Sequence, residues 1–305
     1  MNSTPNAFSL SDADKALLPT DEEVAFYREH GWYLSRPVFS DEEIDFLVAE
    51  SERYYAGHRD RRLPVRPPRI AYWEPAQGNT TRNNDYVFFE STRMAAILGK
   101  PVLGAIAARL SGTDQLRLFN SALMYKPPHL DGDATVVPWH FDRHYWKTCT
   151  SNEMLTAFLP LHDCDEEMGT ITMVDGSHTW KEVGDNDTTT KHFLHRDKSE
   201  LEQVLTRNAQ VNGAEVRKVP MRFKKGQVSF HHCLTYHGSG PNLSTQPRRA
   251  FSLHYQDRQN QYRPYPLSTG ELVVYNHDVL CQKTPEGHPD YSDPTFCPVL
   301  WEGRI

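Results

Sequence analysis

What this chain lacks narrows the field before any motif is read. No stretch approaches the roughly 18 consecutive apolar residues of a membrane span, and the N-terminus does not read as a signal peptide. There is no excess of positive charge: 33 Lys and Arg stand against 40 Asp and Glu, a formal net charge of −7. Nucleic acids and anionic membranes reward basic stripes, so neither is expected as the main partner, although an isolated basic pocket is compatible with this balance. The 5 cysteines, Cys149, Cys164, Cys233, Cys281 and Cys297, are odd in number, scattered and free of any C-x-x-C spacing. That pattern suggests neither a disulfide framework nor a zinc ribbon and fits a reducing cytoplasm. The chain ends Gly303-Arg304-Ile305, which is no targeting tripeptide. Internal repeats, low-complexity segments and linker-like shifts of composition are also missing, so a single soluble domain is expected.

What is present changes character along the chain. Residues 1–18 are polar with little apolar periodicity and read as a flexible tail. Thr20-Asp21-Glu22-Glu23 and Ser40-Asp41-Glu42-Glu43 are two capping boxes, the first leading to a short helix closed by Gly31 and the second to a helix ending near Gly57. Pro101 to Leu110 reads as a third helix. From there short strand patterns follow: Leu116–Tyr125, Glu153–Leu161, Thr170–Val174, Lys218–Phe223, Gln227–Cys233 and Ala250–Gln256, broken by one helical insertion over Lys198–Asn208. A mainly β domain is expected, with flanking helices over 19–112, a double-stranded antiparallel β-helix of the jelly-roll, cupin-like kind over about 113–260, and a C-terminal cover over 261–305.

The segment VPWHFDRHYWKT, residues 137–148, concentrates costly polar and aromatic groups. Residues i and i+2 of a strand share a face, so His140 and Asp142 can present an imidazole and a carboxylate side by side, two of the three ligands of a facial iron site. The pattern is cheap, however. His-x-Asp occurs five times, at His58/Asp60, His129/Asp131, His140/Asp142, His195/Asp197 and His288/Asp290. A solvated pair or a satisfied core histidine is its ordinary fate. His58-Arg59-Asp60 also spells the start of a kinase catalytic loop, but no other kinase signature accompanies it. Only His140-Phe141-Asp142 lies in an apolar, strand-like context, among Val136, Val137, Trp139 and Phe141.

A third ligand has to come from elsewhere, and His237 is the best candidate: it ends the apolar stretch 228–236 and precedes the turn cluster Gly238-Ser239-Gly240-Pro241-Asn242. Arg248 opens the next strand pattern, and an arginine fork matches a carboxylate. The plainer reading, a turn histidine and a solvent-facing arginine, stands beside this one. Arg249 would face the other side of the strand, so a slip of one residue would exchange the two arginines.

Together, His140-x-Asp142, His237-Gly-Ser-Gly-Pro-Asn242 and Arg248 resemble the phytanoyl-CoA dioxygenase family of iron(II)- and 2-oxoglutarate-dependent oxygenases. Leu123-Met124-Tyr125-Lys126-Pro127-Pro128, the segment 158–180 with its Gly176-Ser177-His178 turn, and Gly226 are similar to further parts of the family pattern, so the resemblance spans roughly residues 20–260. It implies Fe(II) held by His140, Asp142 and His237. It also implies 2-oxoglutarate held at its distal carboxylate by Arg248 with help from Ser239. O₂ would be the oxidant, and succinate and CO₂ would be released as a small-molecule substrate is oxidised. Phe141 and Phe158 depart from side chains that some members carry near the co-substrate. Halogenating relatives replace the carboxylate with a small residue; Asp142 is retained, so hydroxylation is the expected outcome, with desaturation or cyclisation open on the same centre. Arg143, His144, Tyr145 and Trp146, with the 82–84 loop of Arg82, Asn83 and Asn84, suggest a small polar or anionic metabolite; equally, the 143–146 run reads as core aromatics with solvated partners. His231, His232 and His254 read more readily as satisfied structural histidines than as pocket groups. Two other readings remain: a zinc hydrolase or lyase on a cupin-like barrel, which leaves Arg248 and the Gly-Ser-Gly turn without a task, and a non-catalytic module that binds 2-oxoglutarate or metal.

Overall fold

The computed structural model describes residues 8–128, 134–181 and 198–305. The pairs His129/Asp131 and His195/Asp197 lie outside these residues.

The helices begin where side-chain oxygens can cap orphan amides. Thr20 and Ser40 each accept from the amide three residues on, while Glu23 and Glu43 reach back to the cap amide, opening α2 (Asp21–His30) and α3 (Asp41–Tyr55). Gly31 closes α2 at φ 77, and no side chain fits there, because a Cβ would lie 2.4 Å from His178 Nδ1. The N-terminal segment is less loose than its composition suggests: α1 (Asp12–Lys15) is capped by Ser11, and Phe8, Leu10, Leu17 and Leu18 pack on the main core. Two short helices missing from the sequence reading, α4 (Val87–Glu90) and α5 (Thr92–Leu98), precede α6 (Pro101–Ser111). Helix α7 spans Lys198–Val211 and α8 spans Asn276–Leu280.

Two antiparallel sheets follow. The larger is ordered β1 (Trp32–Leu34), β8 (Ser229–His232), β5 (Leu155–Pro160), β10 (Arg248–Asp257), β3 (Gln115–Lys126) and β11 (Val299–Glu302). β2 (Arg82–Asp85) also pairs with β3, so the segment expected to be a loop is a strand along its outer edge. The smaller sheet is β4 (Val137–His140), β9 (His237–Ser239), β6 (Ile171–Val174) and β7 (Lys218–Pro220).

Period-2 alternation sends Leu155, Ala157 and Leu159 of β5, with Phe251 and Leu253 of β10, outward against Ile44, Leu47 and the α6 face. Thr156, Phe158, Ser252 and His254 point the other way, into a cleft between the sheets. A register shift opposite His254 and Tyr255 skips Phe119, so Asn120, Ala122 and Met124 face the cleft while Leu118 and Leu116 rejoin the helical core. Among the described residues no single helix is long and apolar enough to cross a membrane.

Candidate active site

His140 and His237 are cross-strand partners on β4 and β9, with ring centroids 4.2 Å apart. Strand pairing therefore brings together two imidazoles that lie 97 positions apart in the chain. Their Nδ1 atoms are fixed in the same way: that of His140 lies 2.8 Å from the Pro138 carbonyl and that of His237 3.0 Å from the Thr235 carbonyl. An Nδ1–H donated to a carbonyl leaves Nε2 as the lone-pair nitrogen and orients the ring. Both Nε2 atoms face Asp142 Oδ1, at 4.0 Å from His140 and 3.6 Å from His237. Asp142 follows the end of β4 and opens a short 3₁₀ turn, so the expected strand stops just before it, but the i, i+2 arrangement survives. Phe141 turns the other way to pack on Val174, Leu205 and Tyr236.

The second oxygen of Asp142 is held from behind. Thr156 Oγ1 donates to Oδ2 at 2.5 Å and lies 2.8 Å from His254 Nδ1. Since that hydroxyl proton goes to the carboxylate, Nδ1 of His254 donates to Thr156, and the chain His254, Thr156, Asp142 fixes the carboxylate plane. His231 Nε2 lies 3.4 Å from the same oxygen, and neither of its ring nitrogens has a hydrogen-bond partner. Thus His231 lines the pocket without satisfying its ring nitrogens, whereas His254 both lines it and is hydrogen-bonded, through Nδ1 to Thr156 and with Nε2 3.4 Å from Ser252 Oγ. His232 points out of the cleft and packs near His178.

Burial keeps the two paired imidazoles neutral: it lowers His140 to about 4 and His237 well below its usual range. Burial opposes ionisation of Asp142, but the surrounding imidazoles outweigh it and hold the carboxyl well below the ordinary carboxylate range. At neutral pH the cluster presents two lone pairs and one carboxylate within 4.8 Å of one another. A divalent cation needs such a donor set, and two nitrogens with one oxygen suit iron of the facial-triad type.

Further into the cleft is a second site of opposite character. Arg248 and Lys126 are directly opposed on β10 and β3, both buried at 2% and 0% exposure. Lys126 Nζ donates to Ser239 Oγ at 2.7 Å and to the carbonyls of Gly240 and Gly169 at 2.6 and 3.3 Å. Arg248 makes one long bond, Nη1 to the Gly169 carbonyl at 3.4 Å, and its Nε is unpaired. Among the described residues no carboxylate pairs with either cation. Burial, and then the charge of Arg248, lowers Lys126 well below its usual range. Like charges opposed across a ladder are destabilising, and buried charges without a counter-ion are costly. The arrangement fits an anionic ligand that completes it.

The cleft, about 140 Å³, runs between these two sites and is lined also by Tyr145, Trp146, Tyr275 and Asn276. It matches the roughly 150 Å³ of an engineered cavity that admits benzene. Arg249 faces away, paired with Glu52 at 3.0 Å and stacked on Tyr125, so the register puts Arg248 in the pocket. Other expected pocket residues lie elsewhere. Arg143 is buried and spends its guanidinium on the carbonyls of Trp146, Cys149 and Ser151 and on Asn152. Arg82 is sandwiched on Trp73, Tyr125 and Tyr55, and Asn84 donates to the Trp73 carbonyl. His144 packs on Phe141 and Tyr145 outside the lining, whereas Asn83 stays in it. Lys126, Thr156, Asp85 and Asn276 were not singled out as site residues from the sequence; only Lys126 carried a local signal, as a charged residue on the inward parity of a strand.

The relationships of the chain agree with this chemistry. The sequence profile of phytanoyl-CoA dioxygenase (PhyH) matches residues 27–250. The chain belongs to that family and is an iron- and 2-oxoglutarate-dependent oxygenase. It is 28% identical over 251 residues to the ectoine dioxygenase of Bordetella bronchiseptica, covering 80% of this chain and 77% of that one. It is 25% identical over 241 residues to a probable alpha-ketoglutarate-dependent hypophosphite dioxygenase of Stutzerimonas stutzeri, covering 77% of each. Its fold is shared with the crystal structure of the epimerase SnoN in complex with Fe3+, alpha ketoglutarate and nogalamycin RO, at a TM-score of 0.64 and 23% identity over 92% of this chain and 98% of that one.

Proposed function

We propose that His140, Asp142 and His237 bind Fe(II), that Arg248, Lys126 and Ser239 bind the distal carboxylate of 2-oxoglutarate, and that the enzyme hydroxylates a small polar metabolite. The observation that carries the reading is the pairing of the two sites: a neutral-imidazole and carboxylate cluster at one end of the cleft and, at the other, two buried basic side chains with no carboxylate partner among the described residues. A keto acid with a carboxylate at each end suits that arrangement. With both bound, this centre supplies an O₂-derived oxidant, with release of succinate and CO₂.

The residues of the chain do the rest. The Pro138 and Thr235 carbonyls hold the two rings with Nε2 toward the ion, and Thr156 with His254 fixes Asp142. Phe158, Ile171 and Met124 line the space between the sites with apolar surface that limits water. In the cleft lining, Asn83 and Asn276 each present a buried side-chain carbonyl without a partner, and Asp85 and Arg69 line the same cleft. Such unpaired polar atoms favour a substrate rich in hydrogen-bonding groups and disfavour a long alkyl chain. Asp85 is raised to about 6 by burial and accepts from the Ala71 amide at 2.9 Å. All 5 cysteines are buried and free, in keeping with a cytoplasmic protein.

A panel of small polar metabolites, assayed for substrate-dependent succinate formation with Fe(II), 2-oxoglutarate and O₂, tests this reading. We expect a hit whose turnover falls at least tenfold in Asn276→Ala at unchanged 2-oxoglutarate affinity. A preference for long-chain acyl substrates would overturn the substrate class. Zinc-dependent hydrolysis without succinate would overturn the reaction.

A further inference from the structure

Away from the cleft, a second set of metal-binding side chains lies under the C-terminal segment. His277 and Cys281 are one turn apart at α8, and Cys297 comes from the approach to β11; their ligand atoms all lie within 4.8 Å of one another, and all three residues are buried. The ring of His277 is 0% exposed and stacks on Phe119 at 4.4 Å and 19°. Its Nδ1 lies 2.8 Å from the Tyr86 hydroxyl, which leaves Nε2 without a nitrogen or oxygen partner and the Cys297 thiol as its polar neighbour. Tyr86 itself is the one non-glycine residue of positive φ among those described, at 64°. Such strain persists where surrounding structure over-determines it.

A buried imidazole nitrogen with at most a weak thiol contact is poorly satisfied. A disulfide between the two cysteines would leave it unsatisfied. An ion engages all three groups. Zn–S bonds near 2.3 Å and Zn–N bonds near 2.0–2.1 Å put tetrahedral donors roughly 3.4–3.8 Å apart, within the observed spread. Two sulfurs and one imidazole are a soft set that prefers zinc to iron, magnesium or calcium. The Nδ1–H to Tyr86 bond would then be the outer-shell contact that fixes the tautomer.

We propose that His277, Cys281 and Cys297 supply three of the four ligands of a Zn(II) site, separate from the iron site and independent of the reading of that site. Binding releases the two thiol protons and forms two Zn–S bonds and one Zn–N bond, with no change of oxidation state. The ion pins α8, whose neighbour Tyr275 and first residue Asn276 line the cleft, to the segment that leads into β11 on the edge of β3. It thereby holds one wall of the cleft.

The test is a titration of metal-free, reduced full-length protein with Co(II) under anaerobic conditions. We expect two equivalents to bind, one of them with an intense near-ultraviolet sulfur-to-cobalt band. The band should vanish in Cys281→Ser and Cys297→Ser, weaken in His277→Gln, and persist in Asp142→Ala, which removes a group of the other site only. Protein purified without added metal should hold close to one zinc per chain, retained in Asp142→Ala. Wild-type protein without a thiolate band would overturn the proposal, whether or not the variants fold. So would a band that survives both serine variants, or a Cys281–Cys297 disulfide in peptide maps prepared without reductant.

Discussion

At the scale of single residues, the most informative contacts stand one step behind the proposed ligands. Thr156 gives its only proton to Asp142 and receives one from His254. Thr156→Val keeps the volume and removes both bonds, so iron affinity should fall about 10–100-fold with little loss of fold, read by anaerobic Fe(II) titration; unchanged affinity would remove Thr156 from the account. His232 offers a test of pH dependence outside the ligand set. Burial, followed by the charges of His178 and His231, lowers it to about 3, and its Nδ1 accepts from the Leu234 amide. Between the ordinary histidine value near 6.5 and about 3, the unfolded chain therefore binds a proton that the native chain refuses. Stability rises with pH through that window and is lost as pH falls, by an amount of the order of a few kcal/mol once both states are protonated. His232→Gln should flatten the acid limb of a denaturation series on metal-free protein. A limb of the same slope would locate the acid sensitivity elsewhere. The five His-x-Asp pairs show why residue roles are hard to read from sequence: Asp60 caps α5 through the Thr92 amide and hydroxyl, and His288 stacks on Tyr262. These are local duties that the same three letters spell equally well.

At the scale of elements, the anion cradle depends on one tight turn. Gly169 sits at φ 67, and a Cβ there would lie 2.5 Å from the Gly240 carbonyl and 2.7 Å from that of Pro241. Its own carbonyl takes bonds from both Lys126 and Arg248. Gly169→Ala must therefore displace the 238–242 turn, and 2-oxoglutarate affinity should drop at least tenfold in calorimetric titration while iron binding is largely kept. Equal affinity would show that the turn does not shape the cradle. The capping boxes of α2 and α3 and the strand alternation of β5 and β10 were legible because each is a local pattern with a local cause. The strand at β4 was expected, one turn too long, but the short strand β9, the displacement of Phe119 and the recasting of 82–84 from loop to edge strand were not. Their conformation is decided by partners far along the chain, and three or four residues carry too few periods to announce a strand.

At the scale of the whole molecule, a helical layer packs on the outer face of the larger sheet and leaves its inner face for the cleft. The jelly-roll class was readable from strand spacing and turn residues, and the iron and 2-oxoglutarate chemistry from a resemblance spread over several motifs. Lys126 opposite Arg248 became visible only with the register, because no sequence rule pairs residues 126 and 248. Since iron and 2-oxoglutarate bind the native state, saturating both should raise the melting temperature, with a gain that grows as ligand concentration rises above its dissociation constant. A melting temperature indifferent to both would mean that neither binds. The most direct test of the central claim is an anaerobic titration of metal-free protein with Fe(II) and then 2-oxoglutarate, following the visible charge-transfer band of the chelated keto acid, with Asp142→Ala and Arg248→Ala alongside. The account predicts a saturable band in the wild type, no band in Asp142→Ala, and a band in Arg248→Ala that needs far more 2-oxoglutarate. A wild type that forms no band while binding zinc tightly at His140, Asp142 and His237 would contradict it.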